Sequence, residues 1–224
     1  MPSSTVENYV KQIFAEQQRR GGTLVPMGRI ADLMEVVPGT ATSMIKALAE
    51  SGLVTYEPRE GTRLTEGGEK LALHVLRRHR LVEQFLVQFL ELDWSEVHEE
   101  AECLEHVISE KVLERMDTIL GHPRFDPHGD PIPSPTGAME LSTLDPLDGC
   151  EEGSQVRIAR ILDQDPAFLQ FIDRSGLTPG VFIQVVSRNS AADALTIQID
   201  GGSTVTLGLT AAMKIQVHVR EPVS

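Results

Sequence analysis

Residues 38–64 read PGTATSMIKALAESGLVTYEPREGTRL, and this stretch decides the fold of the first third of the chain. Thr40, after Val37-Pro38-Gly39, is a good N-cap, and Met44, Ile45 and Leu48 recur on one helical face until Gly52 stops the helix. Leu53-Val54-Thr55-Tyr56 and Thr62-Arg63-Leu64 then read as two short strands around the polar turn Glu57 to Gly61. Upstream, Val6, Tyr9, Val10, Ile13 and Phe14 repeat at helical spacing to Gln17, Gly21-Gly22 ends that helix, and Ile30, Leu33 and Met34 make a second, short one. Two helices joined by a tight turn and followed by a hairpin describe a winged helix-turn-helix over residues 1–65, and periodicity alone fits a small helical bundle with a hairpin equally well. Side-chain chemistry favours the first. Thr40, Thr42, Ser43 and Lys46 form a small polar face away from Ile45 and Leu48, able to approach base edges and phosphates. Arg29 opens the preceding helix, and Arg59 and Arg63 lie on the wing, a set suited to positioning phosphates although each alone is ordinary surface.

Beyond the hairpin, a helix from Glu66 to Leu90 carries Leu71, Val75, Leu76, Leu81, Val82, Phe85, Leu86 and Phe89. That is more apolar surface than one small domain covers, which predicts a helical dimer. Trp94 marks the following turn, with Ser95 as N-cap of the next helix, and a further helix runs from Ser109 to Leu120. Gly121 to Pro146 holds six of the thirteen prolines and reads as a linker. After it, Gln155–Leu162, Val181–Ser187, Ala194–Ile199, Thr204–Leu207 and Ile215–Val219 are short β-branched runs, interrupted by a helix from Pro166 to Arg174. The expectation is a mainly α protein with a small β-barrel, in three domains: 1–65, 66–146 and 147–224.

The net charge of −13 argues against nucleic acid as a partner until it is divided. Residues 1–70 carry −1, residues 71–145 carry −9 and residues 146–224 carry −3, and six of the seven histidines (His74, His79, His98, His106, His122, His128) share the acidic middle. Carboxylates and imidazoles crowded together are what a divalent cation requires, since it relieves their repulsion. No apolar run is long enough to cross a membrane and the first residues show no signal peptide. Cys103 and Cys150 alone cannot build a disulfide framework, which points to a reducing, cytoplasmic location.

Helical spacing places the ligand types. His79 and Glu83 stand one turn apart on one face, and His98, Glu102, Glu105 and His106 fall within about a quarter turn at 3.6 residues per turn. A Glu-rich face is usually solvated surface, but from Leu90 to Ser109 there is no Lys or Arg to match it.

The run Leu64-Thr65-Glu66-Gly67-Gly68-Glu69-Lys70-Leu71-Ala72, continuing to Arg77-Arg78-His79-Arg80-Leu81-Val82-Glu83-Gln84-Phe85-Leu86, resembles the diphtheria toxin repressor family of metal-dependent transcriptional regulators. So do Val97-His98-Glu99-Glu100-Ala101-Glu102 with Glu105-His106, and Pro127-His128-Gly129-Asp130-Pro131-Ile132-Pro133. The resemblance implies a dimeric repressor that binds a palindromic operator in double-stranded DNA when manganese(II) or iron(II) is bound, with zinc, cobalt or cadmium as surrogate ions. It places an ancillary metal site on His79, Glu83 and His98 and a regulatory site on Asn8, Glu102, Glu105 and His106. Iron-sensing members have Cys where this chain has Glu102 and Met where it has Asn8; manganese-sensing members match Glu102 but have Asp for Asn8 and, in some, Glu for Lys11. Carboxylate in place of sulfur favours manganese, and Lys11 sets a cation where a second ion would lie. Cys103, one residue past the family's Cys position, is expected to be a buried structural thiol. Where other members open the Pro-His-Gly segment with a Cys that binds metal with the His, this chain has Asp126, with His128 retained. The last region resembles the SH3-like domain of the family and of ferrous-transport accessory proteins, which donates a carboxylate to the ancillary site; Asp163 is the candidate, Asp165 is next, and a plain helix-capping role is the alternative.

Two other classes compete. His98-Glu99-Glu100-Ala101-Glu102 resembles the zinc-protease signature but lacks its second His, which leaves a metallohydrolase as a weak alternative. A non-regulatory metal-binding or transport accessory module leaves residues 1–65 without a purpose.

Overall fold

The computed structural model describes residues 2–140, 143–200 and 202–219; Gly201 and residues 220–224 of the expected third domain, and residues 141–142 of the linker, lie outside them. The chain divides into two compact units, Met1–His79 with Leu104–Ser109 and Pro133–Ala138, and Arg80–Cys103 with Glu110–Ile132 and Met139–Ser224.

In the first unit, helix α1 (Ser4–Arg19) is capped by the Ser3 hydroxyl, which accepts from the Val6 amide, and buries Tyr9, Val10, Ile13 and Phe14. α2 (Met27–Leu33) and α3 (Pro38–Glu50) contribute Ile30, Ala31, Ala41, Ile45 and Leu48 to the same core. α3 begins earlier than expected. Pro38 occupies its first turn, where a missing N–H costs nothing, so Val37 is the cap position and Thr40 lies inside the helix. Strands β1 (Val54–Glu57) and β2 (Gly61–Leu64) pair antiparallel from Val54↔Leu64 to Glu57↔Gly61. The wing is tied down twice: Val25 and Thr62 exchange backbone hydrogen bonds, and the buried Gln17 side chain accepts from the Leu64 amide at 3.0 Å. Gly61 has φ +145°, and any Cβ there would strike the Val25 carbonyl.

Helix α4 runs unbroken from Glu66 to Leu90, with the bounds the sequence predicts. Its first part, with Ala72, Val75 and Leu76 buried, belongs to the first unit, and its second part, with Leu81, Val82 and Leu86 buried, to the second. The second unit adds α5 (Val97–Leu104, to Cys103), α6 (Glu110–Ile119) and a six-stranded antiparallel sheet. The sheet comprises β3 (Asp145–Pro146), β4 (Gln155–Ile161), β5 (Phe182–Asn189), β6 (Ala194–Ile199), β7 (Thr204–Gly208) and β8 (Ile215–Val219), in the order β3-β8-β4-β5-β6-β7. Helices α7 (Pro166–Arg174) and α8 (Leu209–Ala212) complete it.

The sheet is not a closed barrel. β3 and β7 are its two edges, and closure is replaced by a layer in which Leu169 and Ile172 of α7 pack on Val156, Ile158, Ile161, Val185, Ile197 and Val217. One covered face satisfies the alternating apolar pattern without closure.

Candidate metal centres and nucleic-acid interface

On α3, Thr40, Ser43 and Lys46 are exposed and Thr42 is half-buried. The Thr42 and Ser43 hydroxyls donate to the Pro38 and Gly39 carbonyls at 2.8 and 2.9 Å, which leaves their oxygen lone pairs facing outward as acceptors. Arg59, at φ +73° in the wing turn, and Arg63, on β2, are exposed. Arg29 differs from the expectation of an arginine given to phosphate: its guanidinium lies 3.3 Å from Glu16, which also holds Arg19 and Arg20. Of the expected phosphate contacts, Lys46, Arg59 and Arg63 are exposed, and Arg29 is oriented by an acid.

The first unit holds a buried charge network around Glu105, which is wholly buried just after α5. Its Oε1 accepts from Lys11 Nζ at 2.7 Å and its Oε2 bonds His79 Nδ1 at 2.6 Å. Burial works to raise the Glu105 carboxyl, but the His79 hydrogen bond and the Lys11 charge outweigh it and hold it below the usual range. Glu7 is its counterpart on α1. One Glu7 oxygen accepts from Arg78 at 2.7 Å and the other bonds His106 Nδ1 at 2.6 Å. A carboxylate on Nδ1 turns the Nε2 lone pair outward, as ligating histidines require. His106 Nε2 is buried, has no hydrogen-bond partner and lies 3.4 Å from Glu105 Oε1. Asn8 Oδ1 is likewise buried without a hydrogen-bond donor. Asn8 precedes Lys11 by three residues on α1, so the two share a helix face.

The second unit holds a different cluster. Glu83, Asp126 and His128 are all buried, and one ligand atom from each lies within 4.8 Å of the others. His128 Nε2 donates to the Trp94 carbonyl at 2.8 Å, since a carbonyl can only accept, and this fixes the tautomer that presents the Nδ1 lone pair. That Nδ1 has no hydrogen-bond partner and faces Glu83 Oε2 at 3.9 Å. Asp126 spends Oδ1 on the His128 and Asp130 amides, both at 2.9 Å, while Oδ2 has no hydrogen-bond donor and lies 3.6 Å from Arg80 Nε. Burial first, then the neighbouring carboxylates of Asp130 and Glu83, push Asp126 well above its usual range, against the pull of Arg80. His98 Nδ1 reaches Glu83 Oε1 at 3.2 Å and its Nε2 lies 3.7 Å from Glu102. The loop is pinned to β4 by the Ile161 amide on the His128 carbonyl, and Gly129 (φ +87°) passes so close to the Ala159 carbonyl that no Cβ fits.

The structure thus brings Lys11 and His79 to Glu105, His106 to Glu105 and Glu7, and His98, Asp126 and His128 to Glu83. It does not bring Asp163 to that second group. The Asp163 carboxylate is held by Lys214 at 2.6 Å and by the Asp165 amide, and Asp165 caps α7 through the Phe168 amide. Cys103 is exposed, contrary to the expectation of a buried thiol. The buried side of the two-turn α5 runs through Val97 and Ala101, and a residue two positions past Ala101 points roughly 200° away from it. Glu7 and Arg78, which hold His106 and each other in this network, are residues that the sequence reading misses. Their signal is Glu7 and Lys11, opposite charges four apart on one side of α1.

Residues 1–62 match the model for the N-terminal DNA-binding domain of iron-dependent repressors, 65–134 the metal-binding and dimerisation domain of the same proteins, and 146–219 the FeoA domain. The iron-dependent repressor IdeR of Mycobacterium tuberculosis is 30% identical over 230 residues, covering 96% of each chain. The diphtheria toxin repressor of Corynebacterium glutamicum is 30% identical over 195 residues, 82% of this chain and 84% of that one. Among solved structures, a manganese-dependent transcriptional repressor in complex with manganese is similar at TM-score 0.86 and 37% identity, with 96% of this chain and all of that one covered.

Proposed function

The chain belongs to the family of iron-dependent repressors and is a metal-dependent, DNA-binding, dimeric transcriptional repressor rather than an enzyme, and on that premise we propose that manganese(II) is its corepressor, held at two sites of unequal character. Glu83, Asp126 and His128, with His98, make an ancillary site, to which the family resemblance adds His79. Asn8, Glu105 and His106 make the regulatory one, to which the resemblance adds Glu102. The observation that carries the reading is the convergence of Glu83, Asp126 and His128, buried, within 4.8 Å, with the His128 tautomer set to offer Nδ1. Such a group fits a hard divalent cation, because burial and the neighbouring carboxylates disfavour the charged form of Asp126, a penalty that a bound cation relieves. The donors are oxygen and imidazole nitrogen, without sulfur, which narrows the intrinsic advantage of iron(II) and supports manganese as corepressor, with zinc, cobalt and cadmium as surrogates. Asp163, committed to Lys214, is left out of the set.

When bound, the ion supplies a fixed double charge that cross-links its ligands. At the regulatory site these come from α1, through Asn8, and from the segment carrying Glu105 and His106. α1 is hydrogen-bonded to the wing through Gln17 and Leu64, so constraining α1 constrains the face that carries Lys46, Arg59 and Arg63. A shift of a few kcal/mol converts a minority DNA-competent state into the major one. Phe89, Leu90, Leu92, Val112 and Ile119, large and exposed in the single chain, supply the dimer face, and a two-fold dimer reads a palindromic operator. The three segments 1–65, 66–146 and 147–224 act as DNA-binding, metal-binding and dimerising, and accessory domains in the cytoplasm, where the DNA is. Among the described residues no helix is long and apolar enough to cross a membrane.

The test is a fluorescence-anisotropy titration of the full chain on a duplex from upstream of its own gene, with manganese, anaerobic iron(II) and zinc in parallel. Manganese should induce full binding, at a free concentration no higher than iron(II) requires, with zinc acting as a surrogate. Equal binding in the presence of a chelator overturns the reading.

A further inference from the structure

Lys11 has no part in the ligand sets just proposed, yet its ammonium occupies a ligand. Its Nζ lies 2.7 Å from Glu105 Oε1, with the Lys11 side chain 6% and the Glu105 side chain 0% exposed. The other oxygen of Glu105 is taken by His79 Nδ1. Glu105 Oε1 is also the oxygen that faces His106 Nε2, at 3.4 Å, so an ion shared by Glu105 and His106 must sit where Lys11 now makes its contact. Two cations cannot share one carboxylate oxygen in a buried setting without strong repulsion. The ammonium sits on a four-carbon stem that can swing away, and Glu7, four residues before it on α1, is a carboxylate within ordinary helical reach.

We propose that Lys11 is a tethered cation that competes with the corepressor for Glu105 and so sets the metal concentration at which the repressor switches on. The inference rests on the regulatory-site reading above. Without metal, Lys11 neutralises a carboxylate whose burial is otherwise unfavourable, which keeps the site intact but closed to weak or scarce ions. With enough metal, the double charge displaces the single one. Removing the ammonium leaves Glu105 buried without its cation, so the apo protein loses stability while the metal gains a ligand free of competition.

The experiment is isothermal titration of manganese chloride into the full-length apo protein in a His128→Ala background, which silences the second cluster. Lys11→Met should bind manganese at least tenfold more tightly, melt at a lower temperature without metal, and show a larger melting shift with it. Lys11→Arg, which keeps the charge, should bind no more tightly than Lys11 itself. Unchanged or weaker binding in Lys11→Met, or an equal gain in Lys11→Arg, overturns the inference. If Lys11→Met is unfolded without metal, manganese should restore its helical circular dichroism below the concentration that half-saturates the Lys11 protein, and failure to do so overturns it as well. Glu105→Gln and His106→Ala separate the two levels. If they bind manganese as the Lys11 protein does, the regulatory-site reading itself falls; if they lose binding while Lys11→Met gains none, only the role of Lys11 falls.

Discussion

The cluster around Glu105 and the cluster around Asp126 use the same residue types to opposite electrostatic ends. Around Glu105 and Glu7, Lys11 and Arg78 supply one cation per carboxylate, and Glu105 sits below its usual range. Around Asp126, three carboxylates (Glu83, Asp126, Asp130) face Arg80 and Arg160, and Asp126 is pushed well above its usual range. The first cluster is folded around its own cations; in the second, burial and the neighbouring carboxylates outweigh the pull of Arg80 on Asp126. The ancillary site is therefore expected to fill first and act structurally, and the regulatory site to fill later and act as the sensor.

The largest effect that sharpens this contrast is on DNA. Glu105→Gln or His106→Ala should abolish manganese-induced operator binding, at least a hundredfold in anisotropy, whereas His128→Ala should retain it at higher metal. Equal loss in all three would erase the division of labour.

The next effect has a sign that only the carboxylate excess predicts. Asp126→Asn keeps Oδ1 for the His128 and Asp130 amides and removes the disfavoured charge. Its apo melting temperature should rise by about 2–4 °C, as roughly 1 kcal/mol does for a chain of this size, while the shift on adding manganese shrinks. A fall in the apo melting temperature would show that Arg80 already balances the cluster.

The pH dependence follows from the same two shifts and is smaller. Asp126 is raised, so its contribution to apo stability is full below its ordinary value of 3.8 and is lost as pH climbs through its folded value. Glu105 is lowered from 4.5, so its contribution is present above that value and is lost as pH falls through its folded one. Apo melting curves from pH 4 to pH 8 should therefore decline less steeply in Asp126→Asn than in the parent chain. A parallel decline would remove Asp126 as the cause.

Local signals account for what the sequence made legible. α4, α7, β6 and β8 have the predicted bounds because helix period and β-branched runs mark them directly. Barrel closure depends on which edge strands meet, a long-range property, and β3 is a two-residue strand containing Pro146 that no pattern would flag. His98, Asp126 and His128 with Glu83 were legible as residue types, but the His128 tautomer depends on the Trp94 carbonyl, 34 residues away. The Asp163 expectation failed because Lys214, 51 residues on, holds that carboxylate. Glu7 escaped because a buried Glu on an amphipathic helix makes sense only once Arg78 and His106 are beside it.

The smallest expected effect concerns which metal is sensed. Asn8 offers a neutral amide oxygen, buried and without a hydrogen-bond donor, and Glu102 offers a half-exposed carboxylate where iron-sensing relatives of the family carry sulfur. Hard manganese(II) tolerates an oxygen shell with one imidazole, whereas iron(II) gains more from sulfur and nitrogen, and the intrinsic affinity order already favours iron slightly. Selectivity is therefore a balance of small terms rather than a single decisive ligand. Glu102→Cys combined with Asn8→Met should move half-activation toward iron by about tenfold relative to manganese under anaerobic titration, since roughly 1.4 kcal/mol separates a factor of ten. Asn8→Asp alone, which adds a charge on the α1 side of the ion, should lower the manganese needed without changing the order of metals. If the double variant keeps its preference, the choice of metal is made at Asp126 and His128, and the cluster with the carboxylate excess is a selector as well as a scaffold.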